Sequence, residues 1–201
     1  MWWAELEGLG PALAQLAPWV DPTAQVHPRA ALDMHAGPIS IGARSRIGPG
    51  ARIEGPVEIG ADCMIGDLAL LRGPLRIGDG SRVGFATELK NACIGRFVSI
   101  GPQCFVADSI VDDDAYLGAQ VRTSNHRLDG RNVSVDWLGE RRDSGRDKLG
   151  CWIGTHAALG IQVIVLPGRI IAADSLIGPR ITVERNLPSG RYRLTQTIAA
   201  Y

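Results

Sequence analysis

The sequence predicts an all-β protein, a left-handed parallel β-helix of six-residue turns with a short N-terminal helical cap and a loop excursion. From Ile41 to Leu89 an aliphatic residue recurs at every sixth position. Glycine often follows it, and the fourth residue after it is usually small or β-branched. This period fits neither a helix nor an alternating strand, but it fits a short flat strand followed by a tight corner. Three such strands close one triangular coil of 18 residues.

The β-helix is predicted over residues 26–180, with an excursion over residues 124–149. After Leu89 the repeat slips by one residue and then slips again, as single deletions at corners would produce. The aliphatic pattern then stops and resumes at Ile153 with the same spacing. The segment between is polar and contains an alternating stretch from Val133 to Trp137 among turn glycines. It is predicted to form a hairpin or a loop that covers a ligand.

The two ends of the chain are predicted to lie outside the coil. Residues 1–25 combine tryptophans and leucines with the helix-breaking Gly10-Pro11 and Pro18, which indicates one or two short helical turns. Because the end of a β-helix is open, this segment is expected to cap it. Residues 181–201 form a C-terminal tail that is expected to leave the prism and pack on a neighbour.

Composition restricts the partners and the location. Lys and Arg number 21, and Asp and Glu number 21, so no global field draws the chain to nucleic acid or to a membrane. The absence of a long apolar run and of a basic signal-peptide segment predicts a cytoplasmic location. The four cysteines follow no zinc or disulfide pattern, so no metal is predicted in the site. Cys63, Cys93 and Cys104 occupy the small-residue position that faces the interior, which argues against a nucleophilic role.

Charged side chains are predicted to stack on one face of the coil. Glu54, Arg72 and Lys90 occupy the same repeat position in successive coils, so their backbones should lie about 4.8 Å apart. Stacked cations repel unless an anion or a carboxylate lies between them. The spacing leaves two explanations open: a phosphate held by Arg72 and Lys90, or ion pairs with Glu54 or Glu88.

Two of the four histidines are candidates for a general base. His126 lies in the excursion and His156 lies at a corner, and histidine exchanges protons near neutral pH. His27 belongs to the first coil and is expected to be structural. His35 is expected to lie on the surface.

An ordered series of residues carries a resemblance to a known family, namely Arg72, Glu88-Leu89-Lys90-Asn91, Leu117-Gly118-Ala119, Asn125, Lys148-Leu149-Gly150 and Leu166-Pro167-Gly168-Arg169. Over residues 40–180 the chain resembles the C-terminal acetyltransferase domain of bifunctional sugar-1-phosphate nucleotidylyltransferases. These proteins, of the glucosamine-1-phosphate acetyltransferase type, belong to the hexapeptide-repeat acyltransferase superfamily. The stretch at 143–150 is the most specific part of the likeness.

The resemblance implies a small-molecule acceptor that carries an anionic group. Arg72 and Lys90 match the basic pair that holds the sugar phosphate in the family. Asn125 and Lys148 match further substrate-binding positions on the excursion.

The resemblance also implies acetyl-CoA or another acyl-CoA as co-substrate. Ala119, Gly160 and Ile161 match positions where the backbone borders the acyl-CoA, and Arg191 or Arg193 matches a basic residue that meets the coenzyme. Such sites lie between neighbouring subunits in the family, which implies a homotrimer.

Three positions depart from the family pattern. Counted without gaps from Lys90, Pro102 stands at the catalytic histidine, Phe105 at a substrate-binding tyrosine and Tyr116 at a substrate-binding asparagine. With the family base missing, the proton acceptor is expected to be His126 or a group of the substrate.

The sequence is therefore compatible with two functions. The first is an acyl-CoA-dependent acyltransferase for an amino sugar phosphate or a related small anionic amine. The alternative is a catalytically altered or inactive sugar-phosphate-binding or assembly protein that partners a separate nucleotidyltransferase. Intact phosphate-site residues favour the first function, because a scaffold alone would not need them.

Overall fold

The computed structural model describes residues 1–195. One helix, α1 (Trp3–Leu13), precedes the strands. The coil begins with β1 (Trp19–Val20), β2 (Gln25–Val26), β3 (Ala31–Asp33), β4 (Ile39–Ile41), β5 (Arg46–Ile47), β6 (Arg52–Glu54), β7 (Val57–Ile59) and β8 (Met64–Ile65). It continues with β9 (Leu70–Ile77), β10 (Arg82–Val83), β11 (Glu88–Ile94), β12 (Ser99–Ile100), β13 (Phe105–Ala107), β14 (Ile110–Val111), β15 (Tyr116–Leu117) and β16 (Arg122–Thr123).

Two strands outside the coil, β17 (Ser134–Trp137) and β18 (Glu140–Asp143), follow β16. The coil then resumes with β19 (Trp152–Ile153), β20 (Ala158–Leu159), β21 (Ile164–Val165), β22 (Ile170–Ile171), β23 (Leu176–Ile177), β24 (Thr182–Val183) and β25 (Arg191–Tyr192). No helix in residues 1–195 is long and apolar enough to span a membrane.

The coil strands stack in parallel along three faces of a prism. The first face holds β1, β4, β7, β14, β19, β22 and the C-terminal halves of β9 and β11. The second face is a sheet of nine strands, β2, β5, β8, β10, β12, β15, β20, β23 and β25. The third face holds β3, β6, β13, β16, β21, β24 and the N-terminal halves of β9 and β11. The predicted left-handed parallel β-helix is confirmed.

The aliphatic repeat forms the interior of the prism. Ile41, Ile59 and Ile77 stand in register on adjacent strands of the first face, and each is at most 1% exposed. Glycine closes the corners because successive coils approach each other there. A Cβ atom added to Gly42 would lie 2.6 Å from the carbonyl carbon of Gly60, closer than side-chain atoms pack. The repeat therefore encodes both the core and the corners.

Helix α1 packs on the first face, whereas the sequence predicted that residues 1–25 would cap an open end. Its buried side chains include Trp3 and Leu13, which pack with Cys93 and Ile110 of the coil. These two coil residues point outward from the middle of the first face, where apolar side chains require a cover. Cys93 thus lies under the helix and not in the prism interior, where it was expected.

The coil is longer at both ends than the predicted range 26–180. At the N-terminal end β1 already pairs with β4. At the C-terminal end β24 pairs with β21 and β25 pairs with β23, so part of the predicted tail continues the prism. The repeat is hard to see there because an irregular turn through Pro188 interrupts its spacing. Residues 196–201 of the predicted tail lie outside the described residues.

The excursion contains an antiparallel hairpin of β17 and β18, one of the two predicted forms. Val133 and Val135 are buried in the same apolar cluster as helix α1. The hairpin also lies directly on the corner after β21, where a Cβ atom on Gly168 would be 2.7 Å from the carbonyl oxygen of Ser134. Gly168 has φ +75, so both its backbone and its neighbour favour glycine. The hairpin is therefore docked on the coil.

Candidate active site

Arg72 and Lys90 lie side by side on the third face, as the repeat predicted. Backbone pairing places Glu54, Arg72 and Lys90 in direct register on successive strands. Arg72 Nη1 lies 2.9 Å from Glu88 Oε1, and its Nε lies 3.7 Å from Glu54 Oε2. Carboxylate pairing, one of the two explanations for the stacked charges, is therefore present at Arg72.

Lys90 belongs to a more buried group of side chains around Asp108. The Asp108 side chain is 4% exposed, and its carboxylate lies 3.5 Å from Lys90 Nζ. It accepts hydrogen bonds of 2.5 Å from the side-chain amides of Asn91 and Asn125. Two amide donors and an ammonium compensate the burial of this carboxylate. We refer to Lys90, Asn91, Asp108 and Asn125 as the Asp108 cluster.

Sequence reasoning did not single out Asp108, although a signal was available. Asp108 stands 18 residues after Lys90 and one position past Ala107, the residue that pairs with Lys90 in the next coil. The backbone of Asp108 has a positive φ of 50, and its N–H donates to the carbonyl oxygen of Lys90. The repeat distance alone would have placed a carboxylate next to the predicted lysine.

His126 and Lys148 face each other across an isolated antiparallel bridge at the base of the excursion. Both residues are exposed. His126 Nδ1 lies 3.1 Å from the carbonyl oxygen of Asp147, so the neutral tautomer that donates there leaves Nε2 as an acceptor. The backbone carbonyl of Asn125 accepts a hydrogen bond from Leu149 N–H, which closes the base of the excursion. The structure thus brings Lys90, Asn125, His126 and Lys148 to one corner.

His156 lies at a different corner, between the first and second faces. Its two ring nitrogens are 3.7 Å from Asp114 and 3.3 Å from Asp174, the residues at the same corner of the adjacent coils. All three residues are exposed. His156 is therefore separated from the Asp108 cluster.

A third corner, between the second and third faces, gathers Pro102 and the predicted coenzyme positions. The corners at Gly101 and Gly118 stack so closely that added Cβ atoms would meet Ala119 and Gly160, respectively. Ile161 follows Gly160 and is 48% exposed. The three residues predicted to border acyl-CoA and the altered family position therefore share one edge.

A row of glutamines runs along this edge. Gln120 Nε2 donates to Gln103 at 2.9 Å, and Gln162 Nε2 donates to Gln120 at 2.8 Å. Their side chains link successive coils beside Pro102.

The remaining predicted residues flank this edge. Phe105 begins β13 on the third face, whereas Tyr116 lies on the second face and is 52% exposed. Arg193 follows β25 and is exposed. Pro102 and Asp108 lie beyond opposite ends of β13. Within one chain the predicted coenzyme positions beside Pro102 and the predicted acceptor positions at the Asp108 cluster therefore lie at separate corners.

The cysteines are unsuited to nucleophilic catalysis. All four, Cys63, Cys93, Cys104 and Cys151, are buried. Burial raises the pKa of each thiol, to about 12 for Cys93 and Cys151, which suppresses the reactive thiolate. Within residues 1–195, no three His, Cys, Asp or Glu side chains are grouped so that they could hold a metal ion.

Comparison with known proteins agrees with this architecture. Residues 38–73 match the family of bacterial transferase hexapeptides (six repeats). An uncharacterized acetyltransferase of Escherichia coli strain 536, YaiX, is 56% identical over 174 residues, which are 87% of this chain and 76% of YaiX. The chain belongs to the bacterial hexapeptide-repeat transferases. The predicted enzyme class, an acyltransferase of this type, is confirmed by the family and by the name of the relative.

A bifunctional sugar-1-phosphate nucleotidylyltransferase/acetyltransferase of Sulfurisphaera tokodaii is 36% identical over 112 residues, 56% of this hexapeptide transferase. The match spans only 28% of that relative, and it confirms the resemblance found in the sequence. The solved structure of LpxA, a UDP-N-acetylglucosamine acyltransferase from Bacteroides fragilis, has a TM-score of 0.58 at 15% identity. It covers 79% of this chain and 59% of its own, and at this identity it supports the fold alone.

Proposed function

We propose that this hexapeptide transferase moves an acyl group from acyl-CoA to the amine of a small anionic acceptor, such as an amino sugar phosphate. The observation that carries the proposal is the Asp108 cluster, which joins Lys90 and Asn125 beside His126. Of these residues, Lys90 and Asn125 are positions where the resemblance expects the acceptor. A buried carboxylate that fixes an ammonium and two amides provides a preorganised polar surface.

The proposed step is an ordinary acyl transfer. The acceptor nitrogen attacks the thioester carbonyl carbon, a C–N bond forms, and the C–S bond breaks as coenzyme A leaves as a thiolate. The proton released from the amine passes to His126 Nε2. The Asp147 carbonyl supports this role because it holds the Nδ1 hydrogen of the neutral ring and leaves Nε2 free to accept.

The acyl-CoA is proposed to lie along the edge that contains Ala119, Gly160 and Ile161, with Arg193 near the coenzyme. This edge and the Asp108 cluster are at different corners of one chain, so the complete site is proposed to form between subunits of a homotrimer. A mass measurement by light scattering at micromolar concentration tests this requirement. A monomer would contradict both the trimer and the shared site.

The activity is tested by thiol release from acetyl-CoA with a panel of amines that includes glucosamine-1-phosphate. The buried cysteines keep the protein background low in this assay. His126→Gln should slow turnover roughly 10²- to 10⁴-fold, the usual contribution of a positioned base. His156→Gln is the matched control, since this histidine lies at another corner, and it should retain full activity. No thiol release with any amine would favour the alternative, a sugar-phosphate-binding or assembly protein.

Pro102→His alone should restore little activity towards glucosamine-1-phosphate. The corner at Pro102 keeps the positive φ at the following residue, Gln103, that other corners of the coil have. A histidine placed there would still lack the tyrosine and asparagine that accompany it in the family. The triple variant that also carries Phe105→Tyr and Tyr116→Asn should gain more than the single variant. Rapid acetylation of glucosamine-1-phosphate by the unmodified protein would show that no change at Pro102 was needed.

A further inference from the structure

Arg169 occupies the corner between β21 and β22, beneath the excursion hairpin. Its side chain is only 14% exposed. The close contact between Gly168 and Ser134 fixes the hairpin directly above this corner. The guanidinium is therefore enclosed by docked structure and cannot turn freely into solvent.

The guanidinium lacks the compensation that burial of a charge requires. Within residues 1–195 its side chain donates no hydrogen bond, and its Nε is buried without a partner. The nearest carboxylate is Asp136, 3.7 Å from Nη1. Asp136 is 47% exposed and also lies 3.6 Å from Arg141. One shared, distant carboxylate compensates this cation only in part.

The surrounding charges increase the demand for an anion. Burial lowers the pKa of Arg169, Asp136 opposes this effect, and the nearby cations Arg141 and Arg127 lower the pKa further. An arginine remains protonated in proteins, so Arg169 cannot avoid the cost of burying its charge by losing a proton. Arg127 is already paired with Asp129, at 2.8 and 2.5 Å. Of the three neighbouring arginines, Arg127, Arg141 and Arg169, the charge of Arg169 is thus the least compensated.

Arg169 lines a cleft of about 550 Å³ between the hairpin base and the coil. The volume is typical of sites for small molecules. Apolar walls are formed by Leu128 and Pro167, and polar groups are supplied by Ser124, His126, Arg127 and Asp129. The carboxylate of Asp129 is held by Arg127. The cleft therefore combines space for a ligand with a cation that lacks a hydrogen-bond acceptor.

We propose that this cleft binds an oxyanion, a carboxylate or phosphate group of a small molecule, at the guanidinium of Arg169. A planar guanidinium presents paired donors that match either group. The site is separate from Arg72 and Lys90, whose charges are already paired with carboxylates. The cleft shares His126 with the proposed acyl-transfer site, so the oxyanion would bind beside that site. Binding at Arg169 is tested without turnover, so its failure would leave the proposed acyl transfer untouched.

The test is calorimetric titration of the intact protein with inorganic phosphate and, separately, with succinate at constant ionic strength in chloride. Saturable binding of at least one anion is expected. Arg169→Met keeps an unbranched apolar stem but removes the guanidinium and its charge, and it should weaken that binding about 10- to 100-fold, the range for a charged hydrogen bond. Tighter binding of phosphate would identify a phosphate ester as the ligand class, and tighter binding of succinate would identify a carboxylate.

Arg141→Met is the matched control. Arg141 is a hairpin residue that approaches Asp136, but it does not line the cleft. The anion affinity of this variant should stay within about twofold of the unmodified protein. Equal affinities of Arg169→Met and the unmodified protein, or no saturable binding of either anion, would overturn the proposal.

A second measurement covers the case in which Arg169→Met does not fold. Crystals of the unmodified protein are soaked in selenate, whose anomalous scattering locates a bound oxyanion directly. A selenate peak at the Arg169 guanidinium supports the site. Peaks only at other positions, or no peak, reject it.

Discussion

The cations of the third face and the cation beneath the hairpin have opposite surroundings. On the third face, successive coils place carboxylates next to Arg72 and Lys90. Beneath the hairpin, Arg169 is more buried than either and has only a distant carboxylate that it shares. The difference teaches that a repeating lattice supplies its own counterions, whereas a docked insertion can bury a charge without one. A buried cation without a close carboxylate is therefore found beneath the insertion and not on the repeating face.

The largest effect on stability is expected from substituting Asp108, the buried carboxylate beside Lys90. Asp108→Ala leaves the Asn91 and Asn125 amides without an acceptor and Lys90 without its carboxylate. We expect it to lower the free energy of unfolding by about 3 kcal/mol or more. Urea denaturation followed by circular dichroism measures the change.

Asp62→Ala is the control for this substitution. Asp62 forms a close ion pair with Arg44, but both side chains are more than half exposed. Solvent screens such a pair, so no resolvable change in stability is expected. Equal effects of the two substitutions would mean that the Asp108 cluster is not a stabilising feature.

A smaller effect is expected from Gly168→Ala, which would release the hairpin from Arg169. The new Cβ atom would approach the carbonyl oxygen of Ser134, and the positive φ is unfavourable for alanine. The expected loss of stability is about 1 to 3 kcal/mol, with faster proteolysis of the hairpin. Gly139→Ala is matched, since its φ is +82 but nothing lies within 4 Å of an added Cβ atom. If both variants behave alike, the hairpin is not held by this contact.

The smallest effect is expected from Arg72→Met on the third face. Arg72 is 43% exposed, so solvent screens its pairs with Glu54 and Glu88. The loss of unfolding free energy should stay below about 1 kcal/mol, as for other exposed ion pairs. Thermal denaturation at low and high salt measures it. A loss as large as that of Asp108→Ala would show that the stacked charges, and not the core, hold this face together.

The sequence by itself determined the prism and the neighbours within it. A strict period fixes which residues lie one coil apart, so Arg72 and Lys90 could be placed side by side without coordinates. The same period would have placed Asp108 near Lys90. This works because each coil contacts mainly the adjacent coils, which makes the structure a nearly one-dimensional array.

Only the tertiary structure decided where the non-repeating segments lie. Helix α1 covers the outward side chains Cys93 and Ile110, a position that no period in the sequence indicates. The hairpin encloses Arg169, although the local sequence does not distinguish this residue from an exposed arginine at a corner. Both outcomes depend on apolar surfaces that meet across long sequence separations. Burial of such surfaces is non-directional and has no signature in local spacing.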